Sequence, residues 1–332
     1  MKIESSYKKF PVKNLPKRTG DILGGLDPHA VFTFSGKSAI ALVLDYYRTE
    51  KILENKSSQV LVPHWLGNWV YMSMHNYSFP TTTMNDGVKG LLVYHQWGFP
   101  QKMEKILEFS KRHNLFVLED CAHSFSSFYK GTRAGTFGDV STWSLSKFFP
   151  SVVGGALYSK NIALLNFAKQ AIKRSDVNLE KQVFSHMARA EKENTVENTI
   201  TVERAYAVYH RVFNCPPYAL QVAAKELASD ALEKRKENFD ALRNEFWGKE
   251  EKKLLADSDV CPWVTPLFFG KSKNRKVAHA LSGCGIESGV YNFDINRNML
   301  KPDFRECVPV PCHQGLGSTG LGKIIDTIRT VI

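Results

Sequence analysis

The sequence lacks several features that would place it in a class at once. Its 332 residues contain no long apolar run, and Ala39 to Leu44 falls far short of the ~20 residues that span a membrane. Residues 1 to 30 also lack the apolar centre of a secretory signal. We therefore predict no membrane partner and expect a soluble, cytoplasmic protein.

Closely spaced cysteine pairs are absent as well. The six cysteines are scattered without a CxxC pair, which favours reduced thiols over a disulfide framework, and no metal site is predicted. The formal net charge is +11, but Lys and Arg alternate with acids in runs such as GKEEKK. Because no nucleic-acid motif accompanies this charge, we predict no DNA or RNA partner.

The chain does contain an acid and a lysine that follow two predicted strands. Leu115 to Leu118 is typical of a buried strand, and Asp120 comes two residues after it. Val140 to Leu145 is a second predicted strand, and Lys147 comes two residues after it. In open α/β sheets ligands bind at the carboxyl ends of strands. Such a pair suits pyridoxal 5'-phosphate (PLP), which needs a Schiff-base lysine and an anion at its pyridine nitrogen. The alternative is a turn-capping Asp120 and a solvated surface Lys147.

A second site candidate lies earlier, where a strand over Val31 to Phe34 meets a predicted helix. Gly36, Lys37 and Ser38 occupy the helix start, where free N–H groups and the helix dipole favour a phosphate. The alternative is that Ser35 merely caps the helix.

Alternating strands and helices up to residue 159 predict a mostly parallel seven-stranded sheet flanked by helices. We predict an N-terminal arm (1–30), a large domain (31–215) with a charged helical excursion (161–205), and a linking helix with a small α+β domain (216–332). Residues 219 to 243 are predicted as one long helix.

Several segments together resemble a known family. GVKGLLVYHQWGFPQKMEKILEFSKRHNLFVLEDCAHSF, followed by GTFGDVSTWSLSKFFPSVVGGAL, is similar to the DegT/DnrJ/StrS family of PLP-dependent sugar aminotransferases. SGKSAIALVL, FNCPPYALQVAAKEL and VPVPCHQGL resemble further segments of that family. The resemblance implies the PLP aminotransferase fold of type I and covers most of the chain.

The resemblance also implies roles. Lys147 would form the Schiff base, Asp120 would pair with the pyridinium nitrogen, and His123 would contact the ring hydroxyl or the phosphate. The implied phosphate ligands are Gly36, Lys37, Ser38 and Ser144, with Asn214 reaching the neighbouring subunit of a homodimer. The chain departs from the family pattern in two places. Ser144 and Lys147 are closer in sequence than the corresponding residues of many members. Gly67 aligns where an aromatic ring is expected to stack on the cofactor, which leaves Trp65 as the stacking candidate.

The implied function is transfer of an amino group from an amino acid, expected to be glutamate, to a keto-sugar, in particular a nucleotide-linked sugar of surface-polysaccharide or secondary-metabolite biosynthesis. One rival is a PLP-dependent sugar dehydratase on the same fold, but those relatives carry histidine in place of the lysine. The other rival is a non-catalytic sugar-binding or regulatory relative, which the presence of Asp120, His123 and Lys147 disfavours.

Overall fold

The computed structural model of the protein describes residues 2–55, 57–192 and 196–332, with no side-chain description for 196–199. Within these ranges seven strands form the principal sheet, in the order β1-β9-β8-β5-β4-β2-β3. They are β1 (Ala30–Thr33), β2 (Gln59–Leu61), β3 (Phe79–Thr81), β4 (Val88–Tyr94), β5 (Phe116–Asp120), β8 (Val140–Ser144) and β9 (Gly155–Ser159). β5 runs parallel to β4 and β8, and β9 is antiparallel to both of its neighbours. The predicted seven-stranded, mostly parallel sheet is therefore confirmed.

Helices cover this sheet and continue into the C-terminal half. They are α1 (Gly36–Thr49), α2 (Asn68–Met74), α3 (Met103–His113), α4 (Ile162–Lys173), α5 (Val177–Lys192), α6 (Val196–Val208), α7 (Pro217–Leu227), α8 (Ala231–Phe246), α9 (Lys249–Lys252), α10 (Lys271–Gly283) and α11 (Gly317–Arg329). The apolar run in α1 is almost wholly buried against the sheet. None of the described helices is long and apolar enough to cross a membrane.

A smaller antiparallel sheet carries the C-terminal core. Its strands are β11 (Val264–Leu267), β12 (Tyr291–Asp294) and β13 (Phe304–Pro311), with β13 in the centre. α10 packs on β13 and on α11. A third sheet joins β6 (Phe128–Tyr129), β7 (Thr132–Arg133) and β10 (Ser258–Asp259). β10 thus connects the C-terminal half to the loop that leads from β5 to β8.

Two elements differ from the sequence-based prediction. The helix predicted over 219–243 is two helices, α7 and α8, separated at Ala228 to Asp230. The Ser229 hydroxyl donates to the carbonyl of Glu226, a local bond that competes with continuation of the helix. The sequence also did not predict β13, because its prolines are poor strand residues.

The N-terminal segment is fixed by residues from the far end of the chain. Ile3 forms a bridge with Ile286, and its N–H donates to the carbonyl of Gly285 at 2.9 Å. The N–H of Ser5 donates to the Glu287 carboxylate at 2.8 Å. Residues 6–8 are thereby held beside the principal sheet.

Candidate active site

A cavity that contains most of the predicted site residues lies at the carboxyl ends of β4, β5 and β8. Its volume is about 330 Å³. The predicted residues that line it are Gly36, Lys37, Asp120, His123, Ser144 and Lys147. Six residues from three separate sequence segments therefore share one cavity.

The start of α1 forms one end of this cavity. Ser35 caps the helix, since its hydroxyl accepts a hydrogen bond from the N–H of Ser38 at 3.1 Å. Gly36 lies against the end of β8, where an added Cβ would be 3.1 Å from the carbonyl oxygen of Trp143. An added Cβ on Gly155 would be 2.3 Å from the carbonyl carbon of Ser35. These glycines allow the helix start to approach the strand that leads to Lys147.

Asp120 is the buried carboxylate of the cavity, with 3% of its surface exposed. It accepts a hydrogen bond from the N–H of Ala122 at 3.0 Å. Burial raises the pKa of Asp120, although that N–H and the charges of Lys37 and Lys147 oppose the rise. A positively charged group of a ligand beside Asp120 would therefore be well matched.

The neighbouring Glu119 faces away from the cavity and organises the loop before β8. Its carboxylate accepts hydrogen bonds at 2.6–2.9 Å from the N–H groups of Gly135, Phe137 and Gly138. His95 Nε2 lies 3.0 Å from the same carboxylate. Cys121 lies close enough to complete a metal-ligand set with His95 and Glu119. The hydrogen bonds already account for both carboxylate oxygens, so we interpret this cluster as structural.

His123 is a neutral hydrogen-bond donor on the cavity wall. Burial and the charges of Lys147 and Lys37 hold its pKa well below the usual range. Its Nδ1 lies 2.7 Å from the hydroxyl of Tyr94, which burial keeps protonated by raising the pKa of Tyr94. The Tyr94 hydroxyl also accepts from the N–H of Trp97 at 3.4 Å, and its own proton can be donated to Nδ1, the arrangement in which Nε2 carries the His123 proton.

Two of the lysines that line the cavity, Lys37 and Lys147, have lowered pKa values. Burial lowers the pKa of Lys147, with the charge of Lys8 adding to the effect and the charges of Glu287 and Asp120 opposing it. Burial also lowers the pKa of Lys37, to about 7, and the charge of Lys147 contributes. Nζ of Lys147 lies 4.4 Å from the centre of the Trp263 ring, which stacks on His123. Both amines therefore give up their protons more readily than surface lysines do.

Three predicted residues do not line the cavity. The Ser38 hydroxyl donates to the carbonyl of Tyr209 at 2.8 Å and contacts Ser35. Trp65 is 44% exposed and lies beside a different, smaller cavity with Phe304. Asn214 is exposed, and its N–H donates to Glu180. The structure therefore does not bring these three side chains together with Asp120 and Lys147.

Other cavity residues were not found from the sequence. Ser146 lies beside Ser144, with the hydroxyl oxygens 3.4 Å apart, so the short spacing before Lys147 brings in a second hydroxyl. The excursion that could not be interpreted from sequence contributes Met187, Ala190, Glu191, Val202 and Tyr206, and the N-terminal arm contributes Ser6, Tyr7 and Lys8. The i, i+3, i+4 spacing of Met187, Ala190 and Glu191 was the only sequence signal available.

A family model now identifies the chain. The model of the DegT/DnrJ/EryC1/StrS aminotransferase family matches residues 80–300, which include Asp120, His123, Ser144 and Lys147. The chain belongs to the DegT/DnrJ/EryC1/StrS aminotransferase family. The resemblance inferred from the sequence is confirmed.

Curated relatives of this DegT/DnrJ/EryC1/StrS chain match it over short segments. A segment of 56 residues is 54% identical to the GDP-perosamine synthase of Escherichia coli O157:H7, covering 17% of this chain and 15% of that enzyme. Another of 84 residues is 33% identical to the dTDP-4-dehydro-2,3,6-trideoxy-D-glucose 4-aminotransferase of Saccharopolyspora spinosa, covering 25% of this chain and 22% of that enzyme. The chain thus spans less than a quarter of the length of either relative in these matches.

Solved structures of low sequence identity share the fold over nearly the whole length. PseC of Helicobacter pylori, an aminotransferase of pseudaminic acid biosynthesis, has a TM-score of 0.67 at 14% identity and covers 100% of this chain and 99% of that chain. The PLP form of the putative sugar aminotransferase Spr1654 of Streptococcus pneumoniae has a TM-score of 0.64 at 14% identity and covers 96% and 92%. The predicted PLP aminotransferase fold is confirmed.

Proposed function

We propose that this protein is a PLP-dependent aminotransferase that moves an amino group from an amino acid to a keto-sugar. The observation that carries the proposal is that the Asp120 carboxylate and the Lys147 amine line one cavity with the start of α1. Each of the three features suits a different part of PLP: ring nitrogen, aldehyde and phosphate. Their positions follow from neighbouring parallel strands and one helix.

The donor set of the cavity fits the cofactor. When bound, PLP supplies an electron sink for the carbon that loses a proton. Asp120 would hold a protonated ring nitrogen, because a positive charge beside it offsets the cost of burying the carboxylate. With Nδ1 of His123 bonded to Tyr94, its Nε2 is the ring nitrogen that would meet the cofactor, and Ser144 and Ser146 add hydroxyls near the start of α1.

Lys147 is proposed to carry the proton transfers. Its amine must bind the cofactor and later take a proton from one carbon and return it to another. Burial lowers its pKa, so the unprotonated base is more available near neutral pH than on a surface lysine. The Trp263 ring beside Nζ limits where the amine can move.

The decisive experiment asks which lysine holds the cofactor. Protein purified with PLP is expected to absorb visible light, and borohydride reduction followed by peptide mapping is expected to place the label on Lys147. Lys37 is a stringent internal control because its amine lines the same cavity and also has a lowered pKa. A label on Lys37, or no bound cofactor, would refute the assignment.

The sugar part of the proposal is supported by the names of the relatives. The matched enzymes of Escherichia coli and Saccharopolyspora spinosa are named for GDP-linked and dTDP-linked sugars. We propose a nucleotide-linked keto-sugar as acceptor and glutamate as donor. Protein converted to its aminated cofactor form should regain the original absorbance only when an accepted keto-sugar is added. If no GDP-, dTDP- or UDP-linked keto-sugar restores the absorbance, this proposal is contradicted.

We further propose a cytoplasmic homodimer with shared active sites. Asn214 supports a shared site because it is exposed and outside its own cavity, free to face a second subunit. Mixed Lys147→Ala and Asn214→Ala subunits should then regain part of the activity that each variant lacks. Sedimentation as a monomer, or no recovery on mixing, would count against the shared site.

A further inference from the structure

The helices α5 and α6 form a wall of the cavity that contains Asp120 and Lys147. Met187, Ala190 and Glu191 lie on one face of α5, and Val202 and Tyr206 lie one turn apart on α6. The two helices pack closely against each other. This wall is therefore built from the same chain as Asp120 and Lys147, and from a segment separate from the strands that carry them.

Contacts with the cofactor end of the cavity fix the position of this wall. Nζ of Lys37 lies 4.2 Å from the centre of the Tyr206 ring, which contacts the Trp69 ring at 5.7 Å between centres. Met187 belongs to a hydrophobic cluster with Val152 and Val153, which follow Lys147 in sequence. The wall is thus anchored both to the start of α1 and to residues 145–153, which we call the lysine loop.

Glu191 is the polar group that stands out on this wall. Among the described residues that line the cavity, the carboxylates are Asp120 and Glu191. The α5 and α6 residues around Glu191 on the wall are otherwise apolar, apart from the Tyr206 hydroxyl. Burial raises the pKa of Glu191 to about 7, with the charge of Lys8 opposing the rise. A carboxylate kept in such surroundings is stabilised when a ligand donates hydrogen bonds to it.

We infer that Glu191 accepts hydrogen bonds from the sugar ring of the substrate and so contributes to the choice of sugar. This inference rests on the proposed function and deepens it. The ligand groups that fit Glu191 are hydroxyl or amide N–H donors, because a carboxylate offers only acceptors when ionised.

Charge decides which part of a nucleotide-linked sugar meets Glu191. A diphosphate is anionic, and so are the carboxylates of glutamate, so both are repelled by an ionised Glu191. The sugar ring is the uncharged, donor-rich part of the substrate. Glu191 therefore faces the sugar rather than the diphosphate.

The test separates the sugar from the nucleotide. PLP-loaded wild type, Glu191→Ala, Glu191→Gln and Glu203→Ala are titrated calorimetrically with GDP-mannose, dTDP-glucose and UDP-N-acetylglucosamine, and with GDP, dTDP and UDP. Glu203 is the matched control, since it is exposed on α6 and does not line the cavity. Thermal melting of each variant checks that it is folded.

For the nucleotide sugar that wild type binds best, Glu191→Ala is expected to raise Kd about tenfold or more, the range for a lost hydrogen bond to a charged group. Glu191→Gln, which keeps one acceptor oxygen and the side-chain shape, should show a smaller rise. Kd for the matching nucleotide diphosphate should change less than twofold, and Glu203→Ala should resemble wild type.

Two results would overturn the inference. One is that Glu191→Ala raises Kd equally for the nucleotide sugar and for the nucleotide diphosphate. The other is that Kd for the nucleotide sugar does not differ between Glu191→Ala and Glu203→Ala. If Glu191→Ala melts at a lower temperature than wild type, the Kd values of Glu191→Gln are used in its place. Failure of the proposed function would be seen separately, as wild-type protein that binds no PLP by absorbance.

Discussion

At the scale of single residues, the cavity contains charges that the protein does not neutralise by itself. The pKa of Asp120 is raised and the pKa values of Lys37 and Lys147 are lowered, in each case chiefly by burial. Each shift means that the charged form is less stable in the folded protein than in water. The cavity is therefore prepared for a ligand that carries complementary charges.

Lys37 gives this arrangement a measurable effect on stability. Its pKa falls from 10.5 to about 7 on folding, so between these values the unfolded chain binds more protons. The free energy of unfolding of cofactor-free protein therefore rises with pH in that window, with Lys37 contributing up to about 1.4 kcal/mol per pH unit. This gain in stability is lost as pH falls to about 7. Lys37→Met should remove this slope and stabilise the cofactor-free protein near neutral pH.

Urea unfolding of both proteins between neutral pH and about pH 10 checks this expectation. Lys160→Met is the control, because Lys160 is exposed at the end of β9, and its profile should follow wild type. Identical pH profiles for wild type and Lys37→Met would show that the Lys37 amine is not buried as described.

The chemistry of the site was more predictable than its walls. Asp120 and Lys147 could be found because each follows a buried strand, and strand ends converge at one sheet edge. Glu191 and Tyr206 could not, since a helical pattern predicts α5 and α6 but not the surface on which they pack. Trp65 was selected as an aromatic residue near a strand end, yet it lies beside a different cavity, because its segment turns away before α2.

At the scale of elements, Glu119 connects β5 to the loop that precedes β8. Its carboxylate is fully buried and accepts hydrogen bonds from three backbone N–H groups and His95. Glu119→Ala would leave these buried and partly buried donors without this acceptor, each at a cost of ~1–3 kcal/mol. We expect the free energy of unfolding to fall by at least about 3 kcal/mol in chemical denaturation.

The matched control for this prediction is Glu108→Ala on α3. Glu108 pairs with Arg112 at the surface, where its side chain is 70% exposed, and such pairs contribute about 0.5 kcal/mol or less. Equal effects of the two substitutions would mean that Glu119 does not support the loop before β8.

Elements also account for what the sequence did and did not predict about the fold. The strands of the principal sheet were predicted because apolar runs alternate with amphipathic helices. The division between α7 and α8 depends on Ser229 and Asp230, polar residues that a helical pattern tolerates at the surface. β13 contains Pro309, which pairs with Pro266 in the centre of the small sheet, where propensity argues against a strand.

At the scale of the whole molecule, Arg235 joins the small sheet to the lysine loop. Its side chain on α8 is fully buried and donates to the carbonyls of Trp263, Pro262 and Phe148. It also donates to Gln314 at 3.0 Å. One guanidinium thus connects residues from both halves of the chain next to Lys147.

Arg235→Leu should weaken this connection. We expect a loss of about 3 kcal/mol or more in the free energy of unfolding, since four hydrogen bonds from one buried guanidinium are lost together. Hydrogen exchange should increase at Phe148 and near Trp263 before the principal sheet unfolds. Lys234→Leu, a change at the exposed neighbour, should leave the unfolding transition unchanged, and equal behaviour of both variants would contradict the role of Arg235.

The pairing of the N-terminal segment imposes an order on biosynthesis. Ser5 leaves the ribosome before its partner Glu287, which is 282 residues further along the chain. Domains generally fold as they are synthesised, so the principal sheet can form while Ser6, Tyr7 and Lys8 are still unattached. Residues 6–8 therefore reach their place only after Glu287 has been made, and until then a nascent chain lacks this side of its cavity.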